Sequence, residues 1–218
     1  MAKHIIEFIK SERVKYVSHL DLVRMFGRAM RRAGLEISFS QGFNPHPIMN
    51  FAHPLGVGIS SDCELIEIGF EGDITANDIL EKLSNAMPDG FKLARAKLSE
   101  VKSPFSGLSL AKYRIEICGG AVDLDRLIAM KEIITGKKTK SGIKETDIRP
   151  LIKSAKVTDI KDDCTVIETI LSCGETNLKP ELFVKVIEET GCGKVDYFKI
   201  HRQELLNADG NPLIDFQG

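Results

Sequence analysis

The sequence predicts an α+β protein made of tandem ferredoxin-like (βαββαβ) modules with antiparallel sheets. Three observations support this prediction. The 218 residues suit two modules of roughly 100 residues each. The same order of strand-like and helix-like segments occurs twice along the chain. A short segment rich in Ser, Pro and Gly separates the two repeats, as at a domain boundary.

The first module is predicted over residues 1–101. Apolar alternation and β-branched residues indicate strands over 4–10, 48–51, 63–70 and 91–98. Ser18 is a suitable N-cap for a helix that runs to Gly34, and a second helix is predicted over 75–87. Apolar side chains at helical spacing should face the core. They are Leu22, Met25, Phe26, Ala29, Met30 and Ala33 in the first helix, and Ile79, Leu80 and Leu83 in the second.

A linker is predicted over residues 102–110, and the second module over 111–218. Its strands are expected over 113–118, 148–157, 164–171 and 195–201, and its helices over 123–135 and 179–190. Because the element order matches that of the first module, the chain is interpreted as a tandem duplication.

Composition favours a globular protein in the cytoplasm. Hydrophobic residues make up 43% and charged residues 28% of the chain. No apolar run reaches the roughly 20 residues needed to cross a bilayer, so no membrane partner is expected. Glu7 interrupts the N-terminal apolar stretch before the core of a signal peptide could form.

Five cysteines are scattered along the chain without CxxC spacing. A zinc ribbon, a thioredoxin-type motif and an iron–sulfur loop therefore have no support. We interpret the cysteines, which are Cys63, Cys118, Cys164, Cys173 and Cys192, as buried reduced thiols.

Positive charge is concentrated in two stretches, although the net charge of −1 argues against a uniformly basic nucleic-acid binder. The first contains Lys10, Arg13, Lys15, Arg24, Arg28, Arg31 and Arg32. The second contains Lys137, Lys138, Lys140, Lys144, Arg149, Lys153 and Lys156. Such patches suit a polyanion or an acidic partner, and they are equally compatible with ordinary solvated faces.

Arg24, Arg28 and Arg31 follow the i, i+4, i+7 spacing that places three guanidinium groups on one side of the first helix. Asp21, one turn earlier, is expected to pair with Arg24. Guanidinium groups bind phosphate or carboxylate bidentately, so a polyanion is a plausible ligand. The alternative is an exposed amphipathic face without a ligand.

Residues 39–47 form the motif Phe-Ser-Gln-Gly-Phe-Asn-Pro-His-Pro. Its prolines fix their own φ and favour extended geometry at the residues before them, while Gly42 permits a turn. The loop would present Gln41, Asn44 and His46 as a recognition site at little ordering cost. Phe43, like Phe39, is suited to stacking on a nucleobase. A structural crossover with both phenylalanines in the core is the alternative.

Four residues are candidates for acid–base or metal chemistry: His19, His46, His53 and Glu64. They lack the compact spacing of HxH or HExxH motifs, so no metal and no cofactor is predicted. His19 and His46 remain the candidate catalytic residues.

Two motifs carry a resemblance to a known family: SHLDL at residues 18–22 and SQGFNPHP at residues 40–47. Together with Arg28, the Phe51–Leu55 stretch and Glu64, they resemble the bacterial radical SAM-linked domain family of unknown function. The resemblance implies that such a domain is fused to a radical SAM protein or encoded beside one. In that family the neighbouring genes often encode an E/G-type ribonuclease and ribosomal proteins, so the resemblance implies work on RNA or the ribosome. The resemblance locates the family's motifs in this sequence but assigns no role to any residue.

The chain lacks the CxxxCxxC loop that holds a radical SAM cluster, so any radical chemistry must come from a partner protein. The leading hypothesis is a non-catalytic adaptor or substrate-recognition module that binds RNA or a ribosomal component for that partner. One alternative is a metal-independent RNA-processing or modifying enzyme that uses His46 or His19. Another is a purely protein-binding scaffold.

Overall fold

A computed structural model of the chain describes residues 2–139 and 142–216. The chain divides into two compact units, Met1–Leu108 with Pro212–Gly218, and Ser109–Asn211. Each unit combines antiparallel strands with two α-helices. The fold is therefore mixed α/β, with a largely antiparallel arrangement of strands and few helices.

The first unit contains four strands and two helices among its described residues. In chain order they are β1 (Ala2–Lys10), α1 (His19–Arg32), β2 (Met49–Phe51), β3 (Ile59–Phe70), α2 (Ala76–Ser84) and β4 (Phe91–Leu98). The strands lie in the order β4–β1–β3–β2, and every neighbouring pair is antiparallel. The sequence predicted all six elements, with β3 extending four residues further toward its N-terminus than expected.

One face of this sheet packs against α1 and α2 to form the core. The ring centroids of Phe8 on β1 and Phe26 on α1 lie 5.0 Å apart in an edge-on arrangement, and Phe51 on β2 contacts both rings. The apolar stripes predicted for the two helices are confirmed, since their members are buried or packed against this core.

Helix α1 begins at a fixed point because several bonds converge on the turn that precedes it. Lys10 is fully buried, and its ammonium group donates to the carbonyl oxygens of Lys15 and Val17, at 2.8 and 3.0 Å. The Ser18 hydroxyl then accepts the Asp21 amide as the N-cap. Gly34, with φ of 65°, follows the end of the helix in the left-handed conformation expected of a glycine there.

The second unit repeats this arrangement with an inserted hairpin. Its elements are β5 (Leu110–Cys118), α3 (Leu124–Ala129), β6 (Ile134–Thr139), β7 (Gly142–Asp147), β8 (Ile152–Lys161), β9 (Cys164–Ser172), α4 (Pro180–Glu189) and β10 (Tyr197–Leu206). The antiparallel order is β10–β5–β9–β8, while β6 and β7 pair separately.

The helix predicted over 123–135 is wrong in its second half. Helix α3 ends at Ala129, because Met130 adopts an extended conformation with ψ of 133°. The β-branched residues that follow enter β6 instead of continuing the helix. The Asp147 carboxylate accepts the amides of Ile133 and Arg149, both at 2.9 Å, and so closes the base of the unpredicted β6–β7 hairpin.

The interpretation of all five cysteines as reduced thiols is also wrong. Cys118 on β5 lies directly opposite Cys164 on β9, and the two sulfurs form a disulfide with an S–S distance of 2.00 Å. Both residues are only half-buried. Cys63, Cys173 and Cys192 are buried thiols outside this disulfide, as expected. The pairing follows from strand register, which cysteine spacing alone does not reveal.

None of the helices in the described ranges has the length and apolarity that crossing a bilayer requires.

His4 is a source of pH-dependent stability in the first unit. It is 2% exposed, its Nδ1 has no hydrogen-bond partner, and burial lowers its pKa below the ordinary value of 6.5. The unfolded chain therefore binds a proton that the folded chain excludes. Stability from this group is complete above pH 6.5 and is lost as the pH falls below it.

Urea unfolding of a His4→Leu variant should show a weaker loss of stability between about pH 7 and pH 5 than the wild type. Equal slopes for His4→Leu and wild type would contradict this assignment.

The disulfide gives a second expectation, for the second unit. Without reductant, denatured protein should expose three titratable thiols, and five after reduction. The bond joins residues 46 apart, so the loop-closure model gives it a stabilisation of about 4 kcal/mol. Cys118→Ser should lower the free energy of unfolding by up to about that amount, and added reductant should destabilise the wild type but not this variant. A count of five thiols in unreduced protein would show that the bond is absent in solution.

Candidate functional site

The outward face of α1 carries the predicted arginine row. Arg24, Arg28 and Arg31 are all exposed, as the spacing predicted. Arg32 is exposed as well, and its guanidinium donates to the Ala86 carbonyl at 2.6 Å, which ties it to the segment after α2.

Asp21 organises the first turn of this face. It accepts hydrogen bonds from the Ser18 hydroxyl at 2.7 Å and from the Arg24 guanidinium at 3.2 Å. The Ser18 bond, followed by Arg24, lowers the pKa of Asp21, so it is a carboxylate at neutral pH. The predicted Asp21–Arg24 pair is confirmed. Because both side chains are exposed, the pair orients Arg24 more than it stabilises the fold.

The loop over residues 39–47 is closed at its base by backbone hydrogen bonds among Ser38, Ile48 and Gly69 of β3, a feature that we call the neck. The Ser38 amide donates to the Gly69 carbonyl at 2.8 Å, the Ile48 amide to the Ser38 carbonyl at 2.9 Å, and the Gly69 amide to the Ile48 carbonyl at 3.0 Å. Phe39 and Pro47 form one further antiparallel bridge above this neck. Both legs of the loop are therefore held against each other and against one residue of the sheet.

Gly69 makes that convergence possible. A Cβ atom at this position would lie 3.3 Å from the Cβ atoms of both Ser38 and Ile48, a tighter approach than side chains normally make. A glycine within a strand commonly marks a close approach of another backbone. The neck would have to move apart if any larger residue replaced Gly69.

Inside the loop, Ser40 and His46 close a second ring of bonds. The Ser40 amide donates to the His46 carbonyl at 2.9 Å, and the His46 amide donates to the Ser40 hydroxyl at 3.1 Å. The same hydroxyl lies 2.8 Å from His46 Nδ1. This contact fixes the orientation of the imidazole ring on the surface, so His46 does not enter the core.

The tip of the loop is open to solvent. Gln41, Phe43, Asn44 and His46 are all exposed. Phe43 is fully exposed, at 105% of its reference accessible area, and Phe39 is 50% exposed. Gly42 has a φ of 129°, a conformation available to glycine and strained for other residues. The alternative in which both phenylalanines belong to the core is therefore wrong.

Helix and loop are connected through β2. Phe51, at the end of β2, packs edge-on against His19 at the start of α1, with ring centroids 4.9 Å apart. Phe51 is four residues after Pro47, so β2 leads from the loop to this contact with the helix start. His19 is half-buried, and its Nδ1 is a buried atom with no hydrogen-bond partner.

The four predicted metal or acid–base candidates do not gather into one cluster. Within the described part of the chain, His, Cys, Asp and Glu ligand atoms come within 4.8 Å of one another in a group of three at Glu116, Cys118 and Cys164. Two of those three residues form the disulfide. Glu64 is 3% exposed and His53 is half-buried, whereas His46 stands in solvent.

The second basic stretch is partly committed to structural bonds. Arg149 donates to the Ile128 carbonyl at 3.1 Å, Lys153 to the Pro150 carbonyl at 2.8 Å, and Lys156 pairs with Glu168 at 2.9 Å. Lys140 lies outside the described residues.

Sequence reasoning missed three residues that build the site: Ser38, Ser40 and Gly69. Gly69 could have been noticed as a glycine inside an apolar strand. Ser40 carries a weaker signal, since a serine six residues before a histidine is not a recognised turn motif. Ser38 is 1% exposed and shows no pattern in the sequence that marks it as the lower leg of the neck.

Comparison with known proteins identifies the family. A family model described as "Uncharacterized protein conserved in bacteria (DUF2344)" matches residues 3–180, which include α1, the loop and β3. The chain belongs to this family. The bacterial, uncharacterised family expected from the motifs is thereby confirmed, whereas its link to radical SAM proteins stays a prediction. No curated protein matches the chain.

Solved structures are similar in fold. One chain of the crystal structure of a Cbf5–Nop10–Gar1 complex aligns with a TM-score of 0.52 and 12% identity, over 93% of this chain and 48% of that one. This chain thus spans about half the length of that neighbour, and at such identity the likeness concerns the fold alone. A protein of unknown function from Galdieria sulphuraria aligns over 92% of this chain and 96% of its own, at 13% identity. Its TM-score of 0.28 supports no argument.

The Ser40 bonds can be tested directly. A Ser40→Ala variant should lose the acceptor for the His46 amide, so that this amide exchanges with solvent faster, while the free energy of unfolding changes by less than about 1 kcal/mol because the site is exposed. Hydrogen exchange measured by NMR reports both quantities. Ser106→Ala, which removes an exposed hydroxyl that donates to the Ser103 carbonyl, is the control and should leave His46 exchange unchanged. Unaltered His46 exchange in Ser40→Ala would show that the ring of bonds is not formed.

Proposed function

We propose that this protein is a non-catalytic adaptor or substrate-recognition module that binds RNA, free or within a ribosomal component, through α1 and the loop of residues 39–47. The observations that carry the proposal are the exposed row of Arg24, Arg28 and Arg31 on α1 and, in the segment that follows this helix, a closed loop with an exposed aromatic tip. Arginine forks match phosphate oxygens, and the loop supplies hydrogen-bonding groups without charge.

Charge placement favours a polyanion over a small anion. Helical rise separates Arg24 from Arg28 by about 6 Å and Arg28 from Arg31 by about 4.5 Å along the helix axis, so the three groups form a row instead of a pocket. A row of separated cations suits a ligand with repeated negative charges. The pair that Arg24 makes with Asp21 is exposed to water, so it leaves the guanidinium group accessible to a ligand.

We further propose that both units are ferredoxin-like. In each unit the chain runs strand, helix, two strands, helix, strand, with the hairpin β6–β7 as an insertion in the second. The sheet orders β4–β1–β3–β2 and β10–β5–β9–β8 place equivalent strands in equivalent positions. This correspondence supports a tandem duplication of one βαββαβ module.

The proposed protein partner is a radical SAM protein, and the proposed compartment is the cytoplasm. The support is the resemblance carried by SHLDL and SQGFNPHP, whose residues coincide with the start of α1 and with the closed loop. The chain has no CxxxCxxC loop, so the cluster would belong to the partner. The adaptor role would then be to hold an RNA substrate near the partner's active site.

One observation favours an enzyme as a second candidate. The Ser40 hydroxyl holds His46 Nδ1 at 2.8 Å, which orients the imidazole as a general base must be oriented. The same hydroxyl also accepts the His46 amide, however, and the tip of the loop stands in bulk water. These contacts suit a structural bond better than a nucleophile. RNA should therefore remain intact after prolonged incubation with stoichiometric protein. A cleaved or modified RNA that forms with the wild type but not with His46→Ala would favour the enzyme.

RNA binding across a salt series tests the proposal. Affinity for total cellular RNA should fall steeply with salt, because phosphate contacts release counterions. Replacing Arg24, Arg28 and Arg31 together by Gln should weaken binding and reduce the slope of log K against log salt by about 2, as three lost single-strand contacts predict. Fluorescence anisotropy with labelled RNA measures both effects.

A matched control removes three exposed cations of the second unit, Arg126, Lys131 and Lys153, by the same change to Gln. The net charge then falls equally, but the salt slope should stay near that of the wild type. Absence of RNA binding at low salt would overturn the proposal. A radical SAM protein that co-purifies after nuclease treatment, without any RNA affinity, would favour the scaffold alternative.

A further inference from the structure

Phe43 has no structural reason to be aromatic. Its side chain is 105% exposed, whereas a buried phenylalanine would stabilise the fold by about 1.5–3 kcal/mol. Its neighbours in the chain are Gly42 and Asn44, so no apolar side chain beside it in sequence shields the ring. Folding therefore gains nothing from this ring.

The segment that presents Phe43 contains no charged side chain. Between Glu36 and Asp62 there is no Lys, Arg, Asp or Glu in the sequence. The nearest polar side chains in the sequence are the amides of Gln41 and Asn44 and the imidazole of His46. Amides donate and accept hydrogen bonds, as the edges of nucleobases do, whereas phosphate recognition requires cations or clustered amide N–H groups. The loop is therefore equipped for bases, and α1 for phosphates.

The ring is also presented at low entropic cost. The neck bonds at Ser38 and Ile48, the bridge at Phe39 and the Ser40–His46 ring together close the loop on both sides of the tip. A preformed loop avoids much of the ordering that a flexible segment would require on binding.

An aromatic tip could also enter an apolar pocket of a protein. Protein hot spots of that kind are surrounded by further contacts that exclude water. The sequence neighbours of Phe43 are Gly42 and the amide residues Gln41 and Asn44, and amides suit hydrogen bonding at the edge of a stacked base better than a dry protein contact. A nucleobase is therefore the favoured occupant.

We propose that Phe43 is a stacking platform for an unpaired base, which makes this surface selective for single-stranded RNA over duplex RNA. The inference rests on the proposed RNA binding and specifies its substrate class. In a duplex both faces of each base are already stacked, so a protein ring gains access only by unstacking a step. In a single strand the base is available to aromatic side chains.

The chain contains no tryptophan, so Phe43→Trp creates a single fluorescent reporter at the tip. The probes are an oligoadenylate RNA of about 12 nucleotides and a duplex RNA of the same length. Stacking on adenine should quench the indole emission of the Phe43→Trp variant with the single strand and leave it nearly unchanged with the duplex at equal occupancy. Tyr197→Trp, at a half-exposed aromatic of the second unit, is the matched reporter and should not be quenched.

Affinity measurements complete the test. Phe43→Ala should weaken single-strand binding by about 5- to 150-fold, the equivalent of the roughly 1–3 kcal/mol measured per stacked base, while Phe43→Tyr should keep it. Duplex binding should change little in either variant. All three Phe43 variants should unfold at the wild-type temperature, because the side chain is fully exposed in the folded protein.

The outcomes separate the two proposals. The stacking inference would be overturned if the single strand and the duplex bound with equal affinity and neither quenched the indole at position 43. If the arginine variant still lost this RNA binding, the proposed function would stay in place. The absence of binding to either probe at low salt would overturn both. Quenching at position 197 equal to that at position 43 would also overturn the placement of the base on the loop.

Discussion

Both legs of the loop over residues 39–47 hydrogen-bond to Gly69 on β3, and the placement of the site depends on that shared anchor. Strand β3 also pairs with β1 on one side and with β2 on the other. Its register therefore fixes the neck of the loop and the position of Phe51, against which His19 of α1 packs. A slip of one residue in β3 would turn Gly69 away from the neck and place a side chain where two backbones converge. The positions of the arginine row and of the loop tip therefore both depend on this one strand.

The site separates two kinds of chemistry onto two kinds of element. The arginines lie on a helix, whose regular rise sets their spacing without any need for contacts between them. The uncharged polar groups lie on a loop, where a tight turn at Gly42 and a ring of bonds at Ser40 and His46 hold them outward. Charge attracts a polyanion from a distance and over a broad surface, while the uncharged tip acts only in contact. Affinity and selectivity can therefore change independently in this arrangement.

Much of this organisation could be predicted from the sequence because it is local. The apolar stripe of α1, the Ser18 cap and the Asp21–Arg24 pair all follow from spacings within one helix. The rigid loop was predicted from its prolines and glycine for the same reason. What could not be predicted depends on register between distant segments. Nothing near Cys118 in the chain indicates that Cys164 lies opposite it, and only strand pairing places Gly69 beneath the neck. The β6–β7 hairpin was missed because its short strands are rich in Lys and Thr and lack the apolar alternation that marks a strand.

The buried residues that hold the site in place, here called the frame, differ from the exposed residues of the site in how much they contribute to stability. Lys10 is fully buried and donates to the carbonyls of Lys15 and Val17, so a desolvated ammonium group fixes the turn immediately before α1. Burying a charge is costly unless its hydrogen bonds are satisfied, so a displacement of this turn would cost the buried ammonium group two of its hydrogen bonds. The frame is therefore sensitive to substitution, whereas the exposed Phe43 and the outward arginines contribute little to folding. Exposed groups that contribute little to folding, held by residues that are sensitive to substitution, form the arrangement expected if the exposed groups serve the proposed binding. The aromatic ring at position 43 makes this argument most strongly, because neither packing nor solubility accounts for it.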